Sequence, residues 1–171
     1  MKDNIIIGII EIKSDNLEQK IINAYENFGK KDTLGDSEEM KVCDKEIEEI
    51  KDCEIFINDE KIPFTYYHKF PKEGNYIIKY KFKKLLTDTS FMFKYCKAII
   101  SLDLSNFDAT NVINMECMFF YCDSLISLNL SNIDTKNVTN MGYIFSSCKS
   151  LKNINTSNFN TQNVIDMYSM F

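Results

Sequence analysis

The chain has 171 residues, a formal net charge of −5 and 44% hydrophobic residues, a composition that suits one large or two small folded domains. Its 20 basic residues are all lysine. Because arginine supplies the bidentate contacts to phosphate and guanine, this composition argues against nucleic-acid binding. No apolar run approaches 18 residues, so we predict neither a transmembrane segment nor membrane insertion.

Residues 1–82 predict a small β-rich module. Residues 4–13 are rich in isoleucine and predict a buried strand. Their apolar run is too short for a signal peptide, because the charged Glu11 ends it. Residues 17–29 fit either an amphipathic helix or a second strand at KIINAY, and we favour the strand. In residues 37–51 apolar side chains recur at spacings of three and four, which predicts a helix with a solvated acidic face.

Three further strands are predicted at 53–58, 62–69 and 75–82, separated by turn residues. A β-grasp or an immunoglobulin-like sandwich would both accommodate these elements. Tyr76 and Ile78 lie 26 residues before Leu102 and Leu104. We therefore predict that the last of these strands is the first strand of the region that follows, and that the module caps that region.

The remainder of the chain repeats itself with a 26-residue period. A fixed period of about 20 to 50 residues is typical of a solenoid or related array. The series on this period are Phe93, Phe119, Phe145 and Phe171; Met115, Met141 and Met167; Cys96, Cys122 and Cys148; and Val112, Val138 and Val164.

The sequence of one repeat predicts a short strand followed by a tight turn. Leu125, Leu128 and Leu130 form the L-x-x-L-x-L pattern of a strand with one apolar face. Residues 140–147 predict a short helical or 3₁₀ turn that directs apolar side chains inward. We predict that like residues of successive repeats stack, and that two asparagine series satisfy backbone groups left unpaired by the turns. These series are Asn106, Asn132 and Asn158, and Asn111, Asn137 and Asn163.

The segment MFFYCDSLISLNLSNIDTKNVTNM resembles the 26-residue repeat of bacterial surface proteins in the BspA-like leucine-rich repeat group. The first copy matches that pattern at Met92-Phe93, Cys96, 102–108, Asn111-Val112 and Met115. The third copy departs from it at Thr156 and Asn160, where leucine and aspartate are expected. The resemblance covers about half of the chain, from near Leu85 onward, and implies a non-enzymatic surface or adhesion protein.

Together these observations predict an α+β fold: a β-rich capping module over 1–82 and a leucine-rich-repeat-like solenoid of about three coils over 83–171, truncated at its C-terminus. Met167, Met170 and Phe171 would stand uncovered on the last coil. We therefore expect either a fragment of a longer array or self-association through the C-terminal coil.

The chemistry-bearing residues do not form a recognisable catalytic pattern. The sequence has one histidine, His68, six cysteines without a C-x-x-C pair, and no glycine-rich phosphate loop. We predict that the chain is not an enzyme and has neither a metal site nor a cofactor. The cysteines are expected to be buried free thiols.

The predicted function is protein binding or adhesion through the polar row of the strand face, with a protein partner or a host or matrix surface. The residues of this candidate binding face are Ser101, Asp103, Ser105, Ser127, Asn129, Ser131, Asn153, Asn155 and Ser157. The alternative is an intracellular scaffold or an inert fragment of a longer repeat protein. The family resemblance implies a surface or secreted location, whereas the lack of an export signal favours the alternative.

Overall fold

A computed structural model describes residues 4–23 and 48–171. In these ranges the elements are β1 (Ile5–Ile12), β2 (Glu18–Lys20), α1 (Glu48–Lys51), β3 (Glu54–Ile57), β4 (Glu60–Ile62), β5 (Tyr67–Lys69), β6 (Gly74–Lys81), β7 (Ile99–Asp103) and β8 (Ser127–Asn129). Six of the strands form one mixed sheet in the order β4-β3-β6-β1-β7-β8, and β2 pairs with β5 in a separate two-stranded sheet.

Strand β1 lies in the interior of the six-stranded sheet and is antiparallel to both of its neighbours. Its side chains alternate between the two faces: Ile6 and Ile10 are fully buried, whereas Ile7 and Ile9 are each 37% exposed. One face of the sheet therefore covers the core and the other faces solvent, as is common in antiparallel sheets. The strands predicted at 4–13, 53–58 and 75–82 are confirmed.

The predicted α+β class with a leucine-rich-repeat-like solenoid is wrong. The described residues are mostly β structure built on one six-stranded mixed sheet, and their helix comprises only Glu48–Lys51. The repeats supply just two strands to that sheet, β7 and β8, which pair in parallel. The physical reason is that the isoleucine-rich β1 can hydrogen-bond along both edges and takes the position that a solenoid would give to a repeat strand.

The prediction that β6 leads directly into the repeats is also wrong. Strand β1 lies between β6 and β7, with Ile9 opposite Ile77 on one side and opposite Ser101 on the other. The spacing of 26 residues between Ile78 and Leu104 therefore does not correspond to strand pairing. Sequence periodicity cannot reveal that a strand from another part of the chain is inserted between two strands that lie one period apart.

The third repeat forms no strand, although its leucine-like pattern predicts one. Residues 151–156 have no regular secondary structure. Leu104 and Leu130 anchor the first two repeats with 0% and 3% exposure, and Thr156 occupies the same register in the third. A hydroxyl group at this position weakens the apolar anchor, because burying it requires a hydrogen-bond partner.

The predicted helical or 3₁₀ turn is replaced by a turn in which residues of positive φ recur: Cys117 at 54° and Tyr121 at 57° in the second repeat, with equivalents in its neighbours. Alternate amides consequently point in different directions. The Met118 amide donates within its own turn to Met115 at 3.2 Å, whereas the Phe119 amide donates to Ile144 of the next repeat at 3.1 Å. A helix would direct all of these amides along its own axis, so this turn links successive repeats.

The predicted stacking of phenylalanines is confirmed. The ring centroids of Phe93 and Phe119 are 5.9 Å apart, and those of Phe119 and Phe145 are 5.8 Å apart, with interplanar angles of 5° in both pairs. Phe171 continues the series at 5.6 Å from Phe145. These rings form a continuous apolar column through the repeat region.

The predicted structural role of the asparagines is confirmed as well. The side-chain amide of Asn132 donates to the Ser105 carbonyl at 3.1 Å, one repeat earlier. The side-chain amide of Asn137 donates to the Thr110 carbonyl at 2.7 Å in the same manner. Each amide thereby links the turn of one repeat to a backbone carbonyl of the preceding repeat.

The segment after β2 covers the first turn of the repeat region. Ile21 and Ile22 are fully buried, and the amide of Asn23 donates to the Met92 carbonyl at 2.7 Å. Of the strand predicted at KIINAY, residues 20–25, only Lys20 belongs to a strand, at the end of β2; residues 21–23 have no regular secondary structure, and residues 24–29 lie outside the described part of the chain. The predicted helix over 37–51 is confirmed for its last four residues, and 37–47 also lie outside the described part.

The described residues contain no helix with the length and apolar character needed to cross a membrane.

Candidate binding surface

The solvent-facing side of the six-stranded sheet presents two rows of side chains that run across the strands. The first row is Phe56, Lys79, Ile7, Asp103 and Asn129, from β3 to β8. The second row is Ile77, Ile9, Ser101 and Ser127, from β6 to β8. We call these nine residues the outer face.

The centre of the outer face is apolar. Ile7 and Ile9 are each 37% exposed, and Ile77 is 53% exposed. Single exposed apolar residues are common on proteins, whereas adjacent ones on one face of a sheet indicate a surface suited to a partner. Ile9 and Ile77 are direct cross-strand neighbours, so their side chains form one continuous patch.

Charged and polar groups surround this apolar centre on both sides. On the β6 side, the Lys79 ammonium contacts a carboxylate oxygen of Asp59 at 2.9 Å, and Lys61 pairs with Glu54 at 2.7 Å. On the β7 side lie the hydroxyls of Ser101 and Ser127. An apolar centre within a polar rim is the usual anatomy of a protein–protein interface.

The structure brings together four of the nine residues predicted for the binding face: Ser101, Asp103, Ser127 and Asn129, which share the outer face on β7 and β8. Ser105 and Ser131 lie just beyond the ends of these strands. Asn153, Asn155 and Ser157 lie in a stretch that contains no strand, so they do not extend the outer face as predicted.

Asp103 and Asn129 also have a structural role. The Asp103 carboxylate accepts hydrogen bonds from the Ser105 amide at 2.8 Å and from the Asn129 side-chain amide at 3.0 Å. The Asn129 side-chain oxygen accepts from the Ser131 amide at 3.1 Å. These Asx turns end the two strands and fix the orientation of both side chains on the outer face.

Sequence analysis missed the apolar centre of the outer face. The run Ile5–Ile10, interrupted only by Gly8, has no polar position that would distinguish the solvent side from the core side. A signal did exist at Ile77, which occupies a polar position in the alternating pattern of β6, between Tyr76 and Ile78. The pairing of Ile77 with Ile9 could not be deduced, because it depends on the register between distant strands.

The cysteines offer little reactivity. Burial raises the pKa of Cys96 to about 12 and that of Cys148 to about 11, which keeps both thiols protonated. The Cys122 thiol donates to the Phe93 carbonyl at 3.0 Å. The prediction of free thiols is confirmed for the five described cysteines, of which four are buried and Cys148 is half-buried. Cys43 lies outside the described residues.

His68 does not belong to a polar cluster. Its ring packs edge-to-face against Phe70 with centroids 4.8 Å apart, and partial burial lowers its pKa. Among the described residues, no group of three or more His, Cys, Asp and Glu side chains is placed to hold a metal ion. Within the described residues, a surface contact through the outer face is therefore favoured over a metal centre as the means of a specific interaction.

At the far end of the phenylalanine column, Met167 is 49% exposed and Phe171 is 72% exposed, as predicted for these two residues. Met170 instead packs against the core. This second apolar surface is separate in the sequence from the strands of the outer face.

The sequence profile of one protein family, described as "Mycoplasma protein of unknown function, DUF285", matches residues 68–171. This match includes β6 and all of the repeats. No curated protein and no solved structure matches the chain.

Proposed function

The chain belongs to the family described as "Mycoplasma protein of unknown function, DUF285", and from that premise we propose that it is a non-enzymatic, surface-associated module that binds a protein partner through its outer face. The observation that carries the proposal is the continuous patch of exposed isoleucines, Ile7, Ile9 and Ile77, inside a polar rim. Leaving such a patch in water is unfavourable: complete burial of one fully exposed large aliphatic side chain contributes about 1.5–3 kcal/mol, and a partner could cover the 37%, 37% and 53% of Ile7, Ile9 and Ile77 that remain exposed.

The chemistry of the described residues supports binding over catalysis. A catalytic site needs a nucleophile or a base with an accessible reactive form. The thiols of Cys53, Cys96, Cys122 and Cys148 have raised pKa values, and the histidine packs against an aromatic ring. The side chains of Asp103 and Asn129 are occupied in turns, which suits a rigid contact surface.

The resemblance of the repeats to BspA-like surface proteins supports a surface location and an adhesive role. The partner class that fits both the resemblance and the apolar outer face is a folded protein of a host or matrix surface. An apolar patch on a strand face suits such a partner, because a folded protein can cover several neighbouring side chains at once without a deep pocket.

The binding surface can be tested with two matched substitutions. Ile77→Lys introduces a charge at the centre of the outer face, and Ile113→Lys introduces the same charge at a residue of the repeat region outside it; the two isoleucines are 53% and 50% exposed. We expect Ile77→Lys to weaken binding to immobilised fibronectin, laminin or collagen by at least about tenfold, which corresponds to about 1.4 kcal/mol. Ile113→Lys should bind like the unmodified chain.

Surface biotinylation of intact source cells provides the complementary measurement, and we expect the chain to be labelled. Equal loss of binding in both lysine variants would show that the outer face has no special role. A chain that stays unlabelled on intact cells and becomes labelled after lysis would contradict the surface location.

A further inference from the structure

We propose that the partner of the outer face is a second copy of this chain, so that two copies pack sheet against sheet about a two-fold axis parallel to β1. This inference rests on the proposed function in that the outer face binds a protein, and it names a second copy of the chain, in place of a matrix protein, as the occupant of that face. It follows from the order of side chains in the first row, which is Lys79, Ile7 and Asp103. The row carries a cation on one side of an apolar residue and an anion on the other.

The two charged side chains are on opposite sides of β1 and in the same register. Neighbouring strands are roughly 4.8 Å apart, so Lys79 and Asp103 flank Ile7 with a separation of about 10 Å. A two-fold rotation about an axis along β1 exchanges the two sides of that strand. It therefore places Lys79 of one copy over Asp103 of the second copy, and Ile7 over its own equivalent.

The second row fits the same axis. Ile9 meets its own equivalent, and Ile77 of one copy lies over Ser101 of the other, because these residues flank Ile9 in register. The interface would thus have isoleucine at its centre and an ion pair on each side. Such an isologous contact is the commonest kind among symmetric protein dimers.

The electrostatics favour this axis over the other two-fold axis in the sheet plane. Rotation about an axis perpendicular to the strands superposes β6 on β6 and β7 on β7, which leaves Lys79 and Asp103 without opposite charges. Asp103 is available for such a pair, because its described hydrogen-bond partners, the Ser105 amide and the Asn129 side-chain amide, are neutral. Lys79 already contacts Asp59 at 2.9 Å in its own chain, and its ammonium has three donors, so it can contact a second carboxylate. Because the axis runs along β1, Glu11 at the rim meets Glu11 of the second copy, which is a like-charge contact. Lys13, whose ammonium lies 3.8 Å from the Glu11 carboxylate, reduces this repulsion.

Charge exchange tests the pairing directly. Sedimentation equilibrium of the unmodified chain should show a monomer–dimer equilibrium that weakens as salt is added. Lys79→Glu alone and Asp103→Lys alone should each weaken the dimer by at least about tenfold, because two equivalent contacts become repulsive. An equimolar mixture of the two variants should dimerise again, since every contact across the interface then joins opposite charges.

Asp103→Asn separates electrostatics from folding. It keeps an oxygen acceptor for the Ser105 amide, as Asn129 does for Ser131 in the neighbouring repeat, and removes only the charge. We expect this variant to keep the melting temperature of the unmodified chain when both are measured dilute, as monomers, and to dimerise more weakly.

Phe171→Ser is the control for the competing surface at the end of the phenylalanine column, where Phe171 is 72% exposed. Dimerisation should persist in this variant. Association that is lost in Phe171→Ser and unaffected by the charge exchanges would overturn the proposed dimer.

A strictly monomeric chain at high concentration would also overturn the dimer, and the proposed function would still stand if Ile77→Lys selectively lost binding to the immobilised matrix proteins. A dimer with the charge-exchange behaviour but without binding to those proteins would support the dimer and contradict the matrix partner. The two proposals can therefore fail separately.

Discussion

Replacing Phe119 with alanine should lower the free energy of unfolding by about 3–5 kcal/mol, the usual range for removing a buried aromatic side chain. Phe119 is 1% exposed and is stacked between Phe93 and Phe145. Its removal leaves a cavity with apolar rings on both sides, and these rings cannot close together without breaking the hydrogen bonds between repeats. Chemical denaturation monitored by circular dichroism measures the change.

Phe171→Ala is the matched control for that experiment, because it removes the same side chain at the exposed end of the same column. Phe171 is 72% exposed and stacks on Phe145 alone. We expect a loss below about 1 kcal/mol. If Phe119→Ala also cost less than about 1 kcal/mol, the phenylalanine column would not be part of the core.

Replacing Ile10 with alanine should cost about 2–5 kcal/mol, whereas replacing Ile9 should cost well under half of that. The two residues are neighbours on β1, but Ile10 is fully buried and Ile9 is 37% exposed. Ile10 lies opposite Tyr76 on β6 and Ile99 on β7, and therefore packs in the core where the N-terminal strands meet the repeats. Thermal and denaturant unfolding of both variants measure the difference.

This pair of substitutions also tests the assignment of the two sheet faces. Because side chains alternate along a strand, a one-residue shift in the register of β1 would exchange the core and solvent positions. A larger loss of stability from Ile9→Ala than from Ile10→Ala would contradict the register and, with it, the composition of the outer face.

Periodicity in the sequence was sufficient to predict which residues of the repeats stack. Phe119, Cys122 and Asn132 each recur at a fixed interval. Phe119 stacks on its equivalent Phe93, and the Cys122 thiol and the Asn132 side-chain amide each donate to a backbone carbonyl of the preceding repeat. These contacts join equivalent positions of adjacent repeats, so the repeat period of a single sequence is enough to predict them. The same periodicity suggested a solenoid, which the six-stranded mixed sheet contradicts.

The remaining features depend on contacts that leave no pattern in the sequence. The insertion of β1 between β6 and β7 joins residues about one hundred positions apart, such as Ile7 and Asp103. The sequence predicts a helical turn where the structure has another kind of turn, because apolar spacings of three and four also fit a turn with residues of positive φ, such as Cys117. The polar half of the outer face was predicted from the repeats, and its apolar half was not, because Ile7 and Ile9 belong to β1.

The central claim is that the outer face is an interface, and the accessibility of one thiol on that face tests it most directly. Ser101→Cys places a thiol beside Ile9, in a background in which Cys43 is replaced by serine because it lies outside the described residues. Cys96, which is buried, and Cys148, which is half-buried, have raised pKa values and should contribute a slow background.

We predict that this thiol reacts rapidly with a maleimide reagent when the chain is dilute, and that the rate falls as the chain concentration rises and the outer face becomes covered. An Ile113→Cys chain in the same background, labelled outside the outer face, should react at the same rate throughout the series. A Ser101→Cys thiol whose rate is independent of concentration, and is also unchanged by adding the matrix proteins, would contradict the claim.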